Sequence, residues 1–217
     1  MTSPSLFRIS TWFLTMLAAA AVTCAQADPV EGQDYVKLHQ PQPLETQGKV
    51  EVIEFFSFGC PHCNHFEPIV EAWSASLPHD VAFVREHVDF EGRSDWEPYA
   101  HLANTLKTMG KLDVMAQRVF NAVHRDHIEL RDEKVLFPWV AKQGLDAAKF
   151  QSAWHSFGMD ALMRRSMQMS SSYEVTGVPY FVVDGKYVVQ PATDDPDGRK
   201  MFATINQLIT RERLHAS

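Results

Sequence analysis

Cysteine is scarce in this chain, with three in 217 residues. That excludes a small fold held together by a disulfide framework. Positive charge is also in short supply. Twenty Lys and Arg stand against 27 Asp and Glu, for a formal net charge of -7. The broad basic face that nucleic acids demand is therefore excluded, and no nucleic-acid partner is expected. Long apolar runs are missing too. The longest, Trp12 to Val22, covers about eleven residues, short of the roughly 20 that cross a bilayer as a helix. There are no internal repeats and no low-complexity tracts. What remains is a chain 45% hydrophobic and 22% charged. It is long enough for one large domain, or for one domain carrying an insertion.

Residues 1–27 differ in kind from the rest. They hold no Asp or Glu and a single basic residue, Arg8, ahead of the apolar run. Ala25-Gln26-Ala27 then supplies the small-x-small pattern of a signal-peptidase site. The segment reads as a cleaved secretory signal, with an uncleaved anchor as the alternative. Lipid attachment through Cys24 is disfavoured by the bulkier Thr23 before it. Cleavage after Ala27 leaves 190 residues with a net charge of -8, and only Cys60 and Cys63 as cysteines. An exported product with one close cysteine pair carries either a structural disulfide or a redox centre.

The periodicity of the mature chain alternates between strand and helix. A polar arm, 28–49, contains at most one short strand near Tyr35–Leu38. Val50 to Phe58 is β-branched and aromatic and nearly continuous, the pattern of a central strand covered on both faces. From Pro61 the period becomes helical, with Phe66, Val70, Trp73 and Leu77 on one face and Pro68 expected to kink the helix. Val81 to Val88 reads as the next strand, which closes a parallel crossover. Residues 96–157 read as several short helices with breaks at Gly110, Pro138 and Gly144. A further helix near 160–173 carries a Met159, Met163, Met167 stripe, more in keeping with a core face than with a metal box. Tyr180–Val183 and Tyr187–Val189 flank Asp184-Gly185-Lys186 as a hairpin, and 198–213 reads as a closing helix.

Cys60-Pro61-His62-Cys63 falls where the central strand ends and a helix begins. The free N–H groups and positive dipole end of that helix favour a thiolate at Cys60, and the His62 imidazole adds a donor or a charge. Cys63, one turn further in, suits a resolving role. A static disulfide is the bland alternative, but so short a staple restrains the unfolded chain little. A metal site using Cys60, Cys63 and His62 or His65 is a second alternative, with His124 and His127 as a further pair. Zinc, however, usually draws on a second ligand pair, and the mature chain has no other cysteine. Haem attachment requires His directly after the second Cys, where Asn64 stands. Glu54 interrupts the central strand six residues before Cys60. If the strand is central, that carboxyl is buried beneath the pair and becomes a candidate proton acceptor for Cys63; an edge strand would leave it in solvent. Val178-Pro179 enters the hairpin, where a proline hints at a cis bond.

Phe55-Phe56-Ser57-Phe58-Gly59-Cys60-Pro61-His62-Cys63, followed by a helical stretch and by Gly177-Val178-Pro179 and the hairpin, resembles the DsbA group of the thioredoxin superfamily across essentially the whole mature chain. The resemblance implies an α/β class, a thioredoxin-like fold with an inserted all-helical domain: residues 28–90 and 174–217 form the first part and 91–173 the insertion. It implies a periplasmic thiol oxidase that introduces disulfides into reduced, unfolded exported proteins, with a DsbB-like membrane quinone reductase as its reoxidant. Cys60 becomes the nucleophile and Cys63 the resolving thiol, with Pro61 and His62 between them. Val178 and Pro179 become the element facing the pair and meeting substrate, and Glu54 the buried acid. Glu67 matches a second family acid. Arg85 stands where the family often has Lys, and since Arg keeps its proton, only electrostatic help remains there. No metal and no cofactor are expected. No dimer signature is visible, so a monomer is expected. A reductase or isomerase, or a non-catalytic metal-binding module, are the alternatives.

Overall fold

The computed structural model describes residues 27–90 and 93–216. Apart from Ala27, the expected signal peptide lies outside them. Strand β2, Val50–Phe56, is buried at every position. It is buried because it is central: it pairs in parallel with β3, Val81–His87, and antiparallel with β4, Tyr180–Val183. β4 continues through a hairpin into β5, Tyr187–Val189, and β1, Val36–Lys37, forms the far edge. The order across the sheet is β1-β5-β4-β2-β3. The hairpin turn places Asp184 and Gly185 at φ 52° and 64°, with the Lys186 N–H bonded to the Val183 carbonyl at 3.0 Å. Two positive φ values in succession match the twist of the flanking strands. Glycine is required at 185, because a Cβ there would lie 2.3 Å from the Gln42 carbonyl oxygen.

The period-2 alternation of β2 divides the core. Val50 and Val52 face a layer made by Val70 and Trp73 of helix α1, Pro61–Ala75, and by Ile205 and Leu208 of helix α7, Arg199–Ala216. Ile53 and Phe55 face the helices inserted between β3 and β4. These are α2, Glu97–Thr108; α3, Leu112–Phe120; a π-helical turn, Asn121–Arg125; α4, Glu133–Lys142; α5, Ala147–Trp154; and α6, Met159–Ser172. Leu102, Leu106, Phe120 and Leu136 are fully buried in this second layer, each side chain contributing on the order of 2 kcal/mol of apolar burial.

Three local expectations change. The central strand ends at Phe56, and Ser57 to Gly59 turn the chain into α1. Pro138 does not break its helix but lies inside α4, where the Asp132 side chain caps the first turn and Leu136, Trp139 and Val140 are buried. Packing of that face outweighs the single backbone bond a proline removes. The methionine stripe of α6 is core only at its start. Met159 is buried and Met167 is exposed, while the inward face continues through Ser166 and Ser170. Asn104 of α2 donates to Ser166 Oγ at 3.3 Å, so that contact is small and polar.

Candidate active site

The site is assembled where β2 turns into α1. Cys60 is the N-cap of α1 in extended conformation, with Pro61 in the first turn, where its missing N–H leaves no bond unmade. Its Sγ accepts the Cys63 N–H at 3.4 Å. The Cys60 N–H is tied to the Ser57 carbonyl at 3.0 Å and the Gly59 N–H to Ser57 Oγ at 3.1 Å. Gly59 has a steric reason as well: a Cβ would sit 3.0 Å from the Trp96 indole nitrogen. Both cysteines are free thiols, 5% exposed at Cys60 and 2% at Cys63.

The two thiols are driven apart. A hydrogen bond from the Cys63 thiol, reinforced by the backbone N–H groups of Cys63 and His62 and by the His62 side chain, brings Cys60 down to about 6 against the pull of burial. Burial raises Cys63 well above the ordinary thiol range, and its bond to Cys60 and the charge of Glu54 add to that. The N-terminus of α1 favours the thiolate at Cys60, which caps it, while burial governs Cys63 inside the first turn.

Beneath the pair sits a buried ionic trio. Glu54 on β2, Arg85 on β3 and Glu67 on α1 are each at most 5% exposed. Arg85 makes a two-pronged contact with Glu67, at 2.9 and 2.5 Å. Its Nε approaches Glu54 Oε2 to 2.7 Å, but off axis, so neither atom gains a hydrogen bond. One guanidinium cannot neutralise two carboxylates. Glu54, the worse-placed one, is pushed up to about 7 by burial, with Arg85 pulling down and Glu67 pushing up. Burial opposes the charge on Arg85, but Glu54 and Glu67 together hold it firmly protonated. Glu54 is thus a buried group able to hold or release a proton near neutrality, and its charge is felt at Cys63.

In front of the pair, the Val178–Pro179 bond is cis and the Val178 carbonyl lies 3.5 Å from Cys60 Sγ. Beside it opens a groove of about 540 Å³ lined by His62, His65, Phe66, Val178, Pro179 and Pro191, among others. The structure therefore brings together Cys60, Cys63, Pro61, His62, Glu54, Val178 and Pro179. His127 is exposed and joins nothing at the site.

The family model for the DSBA-like thioredoxin domain matches residues 51–200. The chain belongs to the DsbA-like thioredoxin family. It is 35% identical over 209 residues to the thiol:disulfide interchange protein DsbA of Bordetella parapertussis, covering 94% of this chain and 99% of that one. The Pseudomonas aeruginosa protein of the same name is 40% identical over 175 residues, 79% of this chain and 82% of that one. A crystal structure of a Pseudomonas aeruginosa DsbA variant superposes with a TM-score of 0.79 at 36% identity, over 86% of this chain and all of that one. The Neisseria meningitidis oxidoreductase NmDsbA1 gives 0.75 at 30% identity, over 88% and 99%. As a DsbA-like protein the chain is a thiol:disulfide oxidoreductase with a thioredoxin-like fold and an inserted set of helices.

Two residues of the site were not singled out for their roles by the sequence. His87, the last residue of β3, accepts the Phe58 N–H at Nε2, 2.9 Å, and donates from Nδ1 to the Val88 carbonyl, 2.7 Å. Burial drives its pKa down to about 3, so it is a neutral imidazole with a fixed tautomer. His124, noted in the sequence only as half of a metal pair, instead donates from Nε2 to the Phe58 carbonyl at 2.8 Å. A histidine closing a buried strand was the available signal for the first. Nothing local marks the second.

Proposed function

We propose that the DsbA-type activity of this protein runs through Cys60 and Cys63, in the direction that oxidises substrates. A thiolate of a reduced, unfolded exported protein attacks Cys60 Sγ in the Cys60–Cys63 disulfide. That S–S bond breaks, and Cys63 leaves as a thiolate that takes a proton, with Glu54 as the buried donor. A second substrate thiolate then attacks the substrate sulfur of the mixed disulfide and expels Cys60 as a thiolate. Two electrons have passed from substrate to protein; the substrate thiols gave their protons to solvent on ionising, Cys63 holds the proton from Glu54, and Glu54 recovers one from solvent. Exchange with a disulfide of a DsbB-like membrane quinone reductase passes the electrons onward. The low pKa of Cys60 makes it a good leaving group in the second step, which favours release of oxidised substrate.

The observation that carries this reading is the position of Cys60 Sγ, capping α1 and facing the Val178 carbonyl. An extended substrate segment has a backbone partner in Val178 and an apolar groove beside it. The cysteine pair itself carries the electrons, so no cofactor is needed. Working in the periplasm as a monomer after signal cleavage completes the proposal; among the described residues no helix is long and apolar enough to cross a membrane. Equilibration of the mature protein with glutathione tests it. The expected outcome is a dithiol readily formed by reduced glutathione, far more oxidising than a thioredoxin. A pair that stays oxidised under the same ratio would replace this reading with the reductase.

A further inference from the structure

The turn that carries Cys60 contains a weak link. Gly59 has no side chain to anchor it, and its neighbour Trp96 crowds any larger residue there. The peptide planes on either side of Phe58 are held from outside instead. The Phe58 N–H is bonded to His87 of β3 and the Phe58 carbonyl to His124 of the π turn. The Phe58 ring is packed 5.6 Å from His87 and 5.1 Å from Phe120.

His124 lies in the π turn that follows α3. In α3 the buried positions run Leu112, Met115, Ala116, Val119, Phe120. Val123, four residues after Val119, stays packed against the core, and His124, four residues after Phe120, stacks on the Phe120 ring. The turn that holds them is widened, with the Asp126 N–H bonded to the Asn121 carbonyl. Single π turns within helices are frequent at functional sites.

We propose that His124 is a positioning residue: by holding the Phe58 carbonyl opposite the grip of His87 on the Phe58 N–H, it fixes the peptide planes ahead of Cys60 and so aligns the Cys60 sulfur with the N-terminus of α1. The inserted helices thereby set the chemistry of a cysteine that belongs to the sheet half of the fold. Release of the Phe58 carbonyl frees the Phe58–Gly59 peptide to rotate. The Gly59 N–H then swings away from Ser57 Oγ, and Cys60 loses its alignment with the Cys63 N–H. The thiolate loses support while the disulfide, a covalent link, does not. This rests on Cys60 being the reactive thiol.

The test compares the mature wild-type protein with His124→Phe and His124→Gln. Phenylalanine keeps the stacking on Phe120 and lacks the donor; glutamine offers an amide N–H at a similar reach. Two readouts are taken: the glutathione equilibrium, and mass-mapped iodoacetamide labelling of Cys60 and Cys63 across pH. His124→Phe is expected to make the pair less oxidising by about three- to tenfold and to move Cys60 labelling to higher pH, with glutamine recovering most of both. If the phenylalanine variant fails to fold, His124→Asn replaces it, because its shorter amide falls short of the carbonyl. Unchanged values in the donor-less variant, or equal loss in the glutamine variant, overturn the proposal. Labelling of Cys63 before Cys60 in the wild type overturns instead the assignment of the reactive thiol.

Discussion

The two sides of the Cys60–Cys63 turn are made of opposite materials. Below it, toward the sheet, lie three buried charges: Glu54, Arg85 and Glu67. Above and in front lie backbone groups, imidazoles and an apolar groove. Cys60 takes its properties from the end of α1, where the Cys63 thiol and the backbone N–H groups of Cys63 and His62 favour its thiolate. Cys63 takes its properties from the lower side, where burial and a carboxylate oppose ionisation. One motif of four residues therefore presents two thiols of different character because it stands on the boundary between these regions.

Removing one thiol at a time breaks that division most directly. Cys60→Ser is expected to abolish exchange, with a loss on the order of a thousandfold or more, because no acidic sulfur is left to be attacked. Cys63→Ser is expected to keep a reactive Cys60 thiolate, which attacks oxidised glutathione, expels one glutathione thiolate and stalls as a mixed disulfide visible as a mass adduct. Equal accumulation of adducts on both variants would mean that the two regions do not separate the thiols.

The lower region is probed by Glu54→Gln. A carboxyl raised to about 7 in the folded state stabilises the fold relative to a charged carboxylate only while it is protonated. That contribution is complete below the ordinary value of 4.5 and is lost as pH rises through 7. The amide variant never carries the buried charge and leaves Arg85 balanced by Glu67 alone. It is expected to be more stable than wild type above pH 7, by up to about 3 kcal/mol, with the difference vanishing near pH 4. Urea melts at pH 5 and 8.5 measure it. The same variant is expected to slow the step in which Cys63 gains or loses its proton, so stability rises as activity falls. A variant less stable at pH 8.5 would show that Arg85 depends on Glu54 more than on Glu67.

Much of this site was legible because it obeys local rules. A strand-to-helix junction with Pro61 after Cys60, the Asp184-Gly185 hairpin and a continuous apolar strand around Glu54 each follow from a handful of adjacent residues. The illegible parts are partnerships across space. His124 meets a carbonyl 66 positions away. Glu51 is as buried as the valines beside it because it accepts the N–H groups of Glu45 and Thr46, at 3.1 and 2.8 Å, a use no strand pattern announces. Pro138 and Met167 mislead for the same reason, since neighbours outside their own segments decide whether a helix survives a proline or buries a methionine.

The balance between reduced and oxidised protein sharpens the comparison more finely. With its folded pKa near 6, the Cys60 thiolate stabilises the reduced fold fully above the ordinary thiol value, partly at pH 7, and not below 6. At pH 7 that amounts to roughly 1.4 kcal/mol. The four-residue disulfide loop offers the oxidised fold roughly 2 kcal/mol of chain entropy. Oxidised protein should therefore lead at pH 5, and the two forms should cross between about pH 7 and 8. Above the ordinary thiol range the raised pKa of Cys63 reverses the trend, because the unfolded chain ionises there and the folded one does not. Paired denaturant melts at several pH values give the curve. A constant gap across pH 5 to 8 would mean that Cys60 is not ionised in the folded protein.

The smallest expected effect belongs to His62, the exposed residue between the cysteines. Its backbone N–H supports Cys60 more than its imidazole does. His62→Ser keeps the first contribution and deletes the second. The Cys60 thiolate should lose a charge-assisted partner without losing its place at the end of α1. The glutathione equilibrium is then expected to shift toward a less oxidising pair by only about two- to fivefold, less than for loss of the His124 donor. Raising the salt concentration should shrink the difference between wild type and variant, since the imidazole acts through exposed charge. A shift of a hundredfold would move the control of Cys60 from the helix terminus to its side-chain neighbour, and the His124 clamp would then be a minor contributor. No shift, even at low salt, would leave the backbone as the sole source of the upper region's effect.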